Sequence, residues 1–187
     1  VGGMAAIIGL SEEKLKECLV EARKYGVVEI SNYNTPKQLV IGGEAKAVEV
    51  AIELCKEAGA RRAVPLKVSG PFHTPLLEEA SVNLAKELNN IEFQDMKIPV
   101  LTNVTAEVIA DSSQIKDLLI KQVKSSVKWT ETIRNMIDMG IDTFIEIGPS
   151  RTLSGFLRDI DRSVTTFNVE DMKSLNKTLE GILIKNA

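Results

Sequence analysis

The chain has 187 residues, of which 44% are hydrophobic and 26% are charged, and its formal net charge is −3. These proportions are those of an average globular protein, and the charge balance lacks the basic patch that a nucleic-acid-binding protein carries. No apolar run approaches the roughly 18 residues that a membrane span needs, and no export signal opens the chain. We therefore expect a cytoplasmic protein that binds neither nucleic acid nor membrane.

The two cysteines, Cys18 and Cys55, each lie among apolar residues in a helical pattern. Their spacing fits neither a metal-binding nor a redox motif. Free thiols of this kind behave as small buried hydrophobic groups, and they persist in a reducing compartment. We expect both to be free and buried.

The first 69 residues alternate strand-like and helical patterns. Ser11, followed by two acidic residues, is typical of a helix start, and Gly26 of a helix end. The predicted strands cover residues 4–10, 27–35, 38–44 and 61–69, and the predicted helices cover 12–26 and 45–60. This β-α-β-β-α-β order predicts a ferredoxin-like small subdomain over residues 1–69.

The remaining residues follow a different pattern, with five helices and only three strands. The helices are predicted at 75–91, 111–126, 128–140, 148–160 and 170–186, and the strands at 97–105, 142–148 and 162–169. Strand followed by helix, repeated, indicates a parallel sheet with helices on both faces. Three strands are few for that many helices, so we expect them to lie at the edge of a larger sheet, in a chain that is incomplete and begins without an initiator methionine.

His73, the only histidine, lies in the segment KVSGPFHTPLL, between the β-rich part and the α/β part. Gly70 and Pro71 favour a fixed turn, and a neutral imidazole there could take a proton from a hydroxyl nucleophile. A structural or surface histidine is the alternative. The sequence contains no G-x-S-x-G motif, and Ser69, although adjacent, lies at a strand end without such an elbow and is a weak candidate nucleophile.

Two further segments allow a functional and a structural interpretation. Asn32 and Asn34 lie two residues apart in a predicted strand and so share one face, where they could bind a carbonyl or hydroxyl, or could equally cap the turn before Pro36. The segment IEIGPSRTLSG could hold an anion at a helix N-terminus near Arg151, or could simply connect a strand to a helix.

Six segments, taken in order, resemble one family. They are GGMAAIIGL, NYNTPKQLVIGG, VSGPFHTPLL, PVLTNVTAE, VKWTETI and FIEIGPSRTLSGFL. Together they resemble the malonyl-CoA:acyl carrier protein transacylases of fatty acid synthesis, over nearly the whole chain. The resemblance implies an α/β fold of mixed α+β character: a ferredoxin-like small subdomain at 1–69 and, at 70–187, the C-terminal part of an α/β-hydrolase-like acyltransferase subdomain.

The resemblance also implies a chemistry and a site. In the family a serine attacks malonyl-CoA, and the malonyl group then passes to the phosphopantetheine thiol of acyl carrier protein, with a histidine as the base. His73 falls on that histidine, and Lys128, before the Trp of the V-x-W-T motif, would orient it through its backbone carbonyl. Phe72 resembles the residue that selects malonyl over branched acyl groups, and Asn34 would line the pocket. No metal and no cofactor beyond the substrate malonyl-CoA is implied.

The chain departs from the family in what it lacks. The family's serine elbow, its carboxylate-binding arginine and its glutamine-bearing loop all precede the GGMAA segment. The chain thus resembles roughly the C-terminal three-fifths of a family member, and the missing N-terminal region would be a partner, absent or nicked but associated. The alternative is a non-catalytic ferredoxin-like binding module. A G-x-S-x-G elbow encoded within about a hundred residues before Val1 would favour the enzyme.

Overall fold

The computed structural model describes residues 2–68 and 70–185. The chain forms two compact units, one ending at Thr132 and the other beginning at Ile133. The predicted division between two subdomains at residue 69 stays a prediction, and Ser69 itself lies outside the described residues.

The first unit contains a four-stranded antiparallel sheet in the order β2-β3-β1-β4. Its strands and the two helices between them are β1 (Gly2–Ile8), α1 (Glu12–Ala22), β2 (Val28–Thr35), β3 (Gln38–Glu44), α2 (Ala45–Glu57) and β4 (Arg62–Pro65). This is the strand order of the split βαβ motif, and it confirms the predicted ferredoxin-like arrangement. β4 is shorter than predicted and ends at Pro65.

Both helices pack on one face of this sheet. α1 begins where Ser11 Oγ accepts a hydrogen bond from the backbone N–H of Lys14 (3.4 Å), as the capping pattern predicts. Leu15 and Leu19, one turn apart, are both buried and meet the apolar side chains of α2 and of the strands in one core cluster. Cys18 and Cys55 belong to the same cluster and are free, as predicted.

Part of the opposite face of the sheet is also buried, and the turn that carries His73 lies against it. A Cβ atom added to Gly2 would lie 2.5 Å from Cδ of Pro71, and one added to Gly42 would lie 3.0 Å from Cγ2 of Thr74. Contacts this close leave no room for a side chain. The two glycines of β1 and β3 therefore allow the turn to rest directly on the strands.

The outer edge of β2 is covered by residues 126–130. The backbone N–H of Tyr33 donates to Val127 O, and that of Val127 donates to Ser31 O, both at 2.8 Å. Ser126 Oγ donates to the carbonyl of Ile30 (2.6 Å). These bonds pair the exposed strand edge and fix the segment that follows α4 against the sheet.

The rest of the first unit is helical, with α3 (Glu78–Leu88), α4 (Ile115–Lys124) and the start of α5 (Trp129–Asp138). The strand predicted at 97–105 is wrong: these residues, all described, form only an isolated antiparallel bridge between Leu101 and Val108. Thr102 instead starts a tight turn, because its carbonyl accepts from the N–H of Ala106 (2.9 Å), whose φ is 62°. The turn folds the segment back on itself before a ladder can form.

The second unit contains two parallel strands, β5 (Thr143–Ile147) and β6 (Thr165–Val169), joined by α6 (Thr152–Ile160) and followed by α7 (Met172–Lys185). The register runs from Thr143 opposite Thr165. This is a β-α-β crossover, as predicted for this region. Together with the first unit, it gives the α/β fold of mixed character that the sequence indicates.

Candidate active site

The turn of residues 70–74 gives His73 an unusual backbone conformation. Its φ is 59°, a left-handed value that costs free energy in a residue with a side chain and concentrates at functional positions. Thr74, fully buried, holds the turn closed, because its Oγ1 donates to the carbonyl of Pro71 (2.6 Å). A short 3₁₀ turn beginning at Pro75 then leads into α3.

The half-buried imidazole of His73 is oriented by a backbone carbonyl. Its Nδ1 lies 3.0 Å from the carbonyl oxygen of Gln122. A carbonyl can only accept, so the neutral ring carries its hydrogen on Nδ1 and leaves the Nε2 lone pair available. Nε2 has no hydrogen-bond partner among the described residues, and the ring is therefore prepared to accept a proton there.

Gln122 can serve this role because it lies in the last turn of α4, which ends at Lys124. Carbonyls in the last turn of a helix have no partner within the helix, and the contact with His73 satisfies this one. The negative end of the helix dipole also faces the imidazole. That arrangement stabilises the positive charge that the ring acquires on taking a proton.

The predicted role of Lys128 is wrong. Its carbonyl accepts hydrogen bonds from the N–H and Oγ1 of Thr132, both at 2.9 Å, because Lys128 directly precedes α5 and its carbonyl is the first acceptor of that helix. The acceptor for His73 lies six residues earlier in the sequence. Sequence reasoning did not identify Gln122. The one signal available was that a helix ends near this position. A helix end leaves several carbonyls without partners, so this signal does not show which of them binds His73.

Two bulges in β2 interrupt the regular alternation that would place Asn32 and Asn34 on one face of the strand. The β2–β3 register shifts at Ile30/Asn32 and at Tyr33/Thr35, leaving Ser31 and Asn34 as bulge residues without cross-strand partners. Regular alternation therefore fails, and Asn32 Oδ1 accepts from Ser31 Oγ (2.8 Å). The half-buried Asn34 amide has no hydrogen-bond partner among the described residues.

Phe72, immediately before His73, remains 43% exposed. Its ring lies over Gly70, where an added Cβ would be 3.7 Å from Cζ. No described hydrogen bond joins Asn34 or Phe72 to His73. Whether the two residues line a common pocket stays a prediction.

The segment IEIGPSRTLSG forms a connection whose helix end is already occupied. Glu146, in β5, accepts from the N–H of Leu153 (3.0 Å) and from the N–H and Oγ of Ser154 (2.8 and 2.7 Å) at the start of α6. Burial raises the pKa of the Glu146 carboxyl, but the hydrogen bonds from Ser154 and Leu153 outweigh it and hold that pKa below its ordinary value. Because this carboxylate fills the place of an anion, the structural interpretation holds.

No other reactive side chain among the described residues forms a hydrogen bond with His73. Burial, with Cys18 alongside, raises the pKa of the Cys55 thiol to about 12, which keeps it protonated and unreactive. The described residues contain no group of three or more His, Cys, Asp or Glu residues that could hold a metal ion. None of their serine hydroxyls forms a hydrogen bond with His73.

Known proteins resemble this chain over nearly its whole length. The family model described as an acyl transferase domain matches residues 1–186. The chain belongs to the acyl transferase family. A malonyl CoA-acyl carrier protein transacylase from Bacillus subtilis is 41% identical over 186 residues, which are 99% of this chain and 59% of the relative.

Solved acyl transferase structures share the fold. That of a malonyl CoA-acyl carrier protein transacylase from Clostridium perfringens has a TM-score of 0.96 at 44% identity, over 100% of this chain and 58% of its own. PlMCAT, a malonyl-transacylase solved in complex with AntF, a type II PKS acyl-carrier protein, has a TM-score of 0.93 at 38% identity, over 96% and 58%. The chain thus spans less than two thirds of the relatives it matches. In its described part, no helix is both long enough and apolar enough to cross a membrane.

Proposed function

We propose that the protein to which this chain belongs transfers a malonyl group from malonyl-CoA to the phosphopantetheine thiol of acyl carrier protein. The transfer would run through a serine-bound intermediate, with His73 as the base. The observation that carries the proposal is the hydrogen bond from His73 Nδ1 to Gln122 O, which leaves Nε2 as the proton acceptor. The names of the relatives supply the acyl group and the acceptor.

In the first half-reaction, His73 Nε2 takes the proton of a serine hydroxyl while the serine oxygen bonds to the thioester carbon of malonyl-CoA. The carbon–sulfur bond then breaks, and the proton passes to the departing sulfur of CoA. In the second, the phosphopantetheine thiol gives its proton to Nε2 and attacks the malonyl ester, and the serine oxygen leaves with that proton. The base is regenerated in each half.

The serine would come from a region of the protein outside residues 1–187. The sequence given has no G-x-S-x-G elbow, and β5 pairs only with β6 in the described structure, which fits a sheet that other strands extend. On this proposal the 187-residue chain alone forms no malonyl-enzyme. The free thiols of Cys18 and Cys55 fit a reducing cytoplasm, where we place the reaction.

Phe72 and Asn34 are proposed substrate-binding residues. The exposed ring of Phe72 lies next in sequence to His73 and would exclude a branched acyl group, so malonyl is preferred to methylmalonyl. The amide of Asn34, held at a bulge without a partner among the described residues, is free to bind a carbonyl or hydroxyl of the substrate.

A chimaeric enzyme tests the proposal. The matching 59% of the Bacillus subtilis relative is replaced by this chain, and malonyl transfer from malonyl-CoA to acyl carrier protein is followed. We expect the chimaera to be active and His73→Ala to lower its transfer by about 10²- to 10⁴-fold, the usual contribution of a general base. Lys86→Ala, an exposed change on α3, is the matched control.

Transfer by His73→Ala at the rate of the Lys86→Ala control would refute the role of His73. Intact-mass spectrometry of the 187-residue chain with malonyl-CoA completes the test. A malonyl adduct on this chain by itself would show that it contains a nucleophile and would contradict the assignment of the serine to another region.

A further inference from the structure

The two groups of the His73–Gln122 hydrogen bond come from different parts of the chain that two helices bring together. His73 lies just before α3, and Gln122 lies in the last turn of α4. α3 and α4 pack against each other and run antiparallel, because the start of each helix contacts the end of the other. The distance between imidazole and carbonyl therefore depends on how these two helix ends are held.

An ion pair joins the same two helix ends. Lys124 Nζ lies 2.7 Å and 2.6 Å from the two carboxylate oxygens of Glu78. Glu78 is the first residue of α3, five residues after His73, and Lys124 is the last residue of α4, two residues after Gln122. The lysine side chain is only 29% exposed, so it is held along the helix surface.

A second polar contact joins the opposite ends of the helices. Lys116 Nζ donates to Asn89 Oδ1, linking the first turn of α4 to the residue that caps the C-terminal end of α3. It fastens the same helix pair at the end remote from His73. The two contacts thus allow the effect on His73 to be separated from the general stability of the pair.

We propose that Glu78 and Lys124 are positioning residues that hold the carbonyl of Gln122 against Nδ1 of His73. Their bond fixes the start of α3 to the end of α4 and thereby fixes the tautomer that leaves Nε2 free. Without it the helix ends separate, the Nδ1–H···O bond weakens, and the ring populates the tautomer with hydrogen on Nε2, which cannot accept a proton there. That this positioning of His73 matters for catalysis rests on the proposed function. The positioning itself does not depend on that function.

The tautomer of His73 can be measured directly in this chain. His73 is the only histidine, so each ring nitrogen gives a single ¹⁵N NMR signal, and the two shifts report where the hydrogen lies. At about pH 9, where an ordinary imidazole is neutral, we expect the unsubstituted chain to favour hydrogen on Nδ1. Glu78→Gln and Lys124→Gln should each raise the ratio of the other tautomer by about two- to fivefold, the effect that a partly exposed ion pair can exert.

Three comparisons decide the interpretation. Lys124→Arg retains the pair and should keep the original ratio, and Lys116→Gln, at the remote end, should also leave it unchanged. A purely electrostatic influence would act with opposite sign in Glu78→Gln and Lys124→Gln, because one removes a negative charge and the other a positive charge. A positioning role moves both in the same direction.

The proposal is overturned if the ratio is unchanged in both neutral variants, if they move it in opposite directions, or if Lys116→Gln moves it equally. The NMR experiment needs no transferase activity. A negative NMR result would therefore leave the proposed function standing. Conversely, if the chimaera transferred no malonyl group, the positioning role would still be decided by the tautomer ratio.

Discussion

Three residues other than glycine adopt a left-handed backbone in the described part of the chain: His73, Ala106 and Ser150. At His73 the conformation belongs to the site, and at Ala106 to a tight turn. Ser150, with a φ of 73°, lies in the exposed turn between β5 and α6, and its hydroxyl contacts only the neighbouring hydroxyl of Thr152 (3.1 Å). Its backbone N–H also donates to Glu170 Oε2 (3.0 Å), a bond that glycine would keep, so the side chain of Ser150 offers nothing evident to offset the backbone strain.

We predict that Ser150→Gly raises the free energy of unfolding by about 0.5–1 kcal/mol. A left-handed conformation costs a residue with a side chain about 1–2 kcal/mol, and the greater freedom of glycine in the unfolded chain returns part of the gain. Urea denaturation followed by circular dichroism measures the change. Ser125→Gly is the matched control: Ser125 has a φ of −117°, so glycine there should destabilise, and equal effects of the two substitutions would contradict the argument.

The residues of the site differ in how far sequence could predict them. His73 is identifiable because a unique histidine behind a Gly-Pro turn stands out, and the family motif contains it. Gln122 contributes only a backbone carbonyl, which every residue possesses, so no residue type marks it. The assignment of that role to Lys128 failed for this reason: the carbonyl that is free depends on where α4 ends and α5 begins.

At the scale of elements, α6 begins on a carboxylate supplied by another element. Arg151, at its N-cap position, provides no side-chain cap. Glu146 of β5 instead binds the N–H groups of Leu153 and Ser154. A negative group at this end of a helix satisfies unpaired donors and complements the dipole, so a single carboxylate connects strand and helix.

We predict that Glu146→Gln lowers the free energy of unfolding by about 1 kcal/mol at neutral pH, the usual value of a helix cap. The hydrogen bonds hold the pKa of Glu146 below its ordinary value in the folded chain, so the folded state binds its proton less tightly than the unfolded state. The stabilisation is therefore complete above the ordinary glutamate pKa of about 4.3 and is lost as the pH falls through the lowered pKa. Urea denaturation at a series of pH values measures it.

Glu180→Gln provides the control for this prediction. Glu180 is exposed on α7, and the described structure gives it neither an ion pair nor a hydrogen bond, so the substitution should change stability little at any pH. A deficit of Glu146→Gln that persisted unchanged in acid would show that packing, and not the charge of the cap, is responsible.

Elements were predictable where local signals agree. α1 has a serine cap, acidic residues in its first turn and an apolar stripe, and it forms where expected. Residues 97–105 also looked like a strand, with alternating apolar residues, but a strand needs a partner. Because of the turn at Thr102, the pairing in this segment is limited to the bridge between Leu101 and Val108. Local hydrogen bonds set this outcome, and it cannot be predicted from the alternation of apolar residues.

At the scale of the whole molecule, β5 pairs with β6 along one edge and with no other strand among the described residues. Its residues Ile145 and Ile147 point to one face and are 44% and 83% exposed, although strands of parallel sheets are normally buried on both faces. The chain also spans only 59% of the length of the Bacillus subtilis relative. We therefore predict that a further strand pairs with β5 when this chain is joined to the rest of a family member.

Hydrogen exchange can test this continuation residue by residue. The N–H of Gly148 donates to Val169 O of β6 (3.0 Å). Since alternate residues of a strand face alternate neighbours, the N–H groups of Ile145 and Ile147 point to the free edge. We predict that these two amides exchange rapidly in the 187-residue chain and become protected by at least about tenfold in the chimaera with the Bacillus subtilis segment, because strand pairing buries them.

The amide of Glu146 provides the internal reference for that experiment. It faces β6 in both proteins, so its protection should change less than that of its two neighbours. If the amides of Ile145 and Ile147 exchange as fast in the chimaera as in the chain alone, no strand pairs with this edge. The exposed isoleucine side chains would then have to be buried by something other than a neighbouring strand. Protection confined to those two amides would place the additional strand directly beside β5.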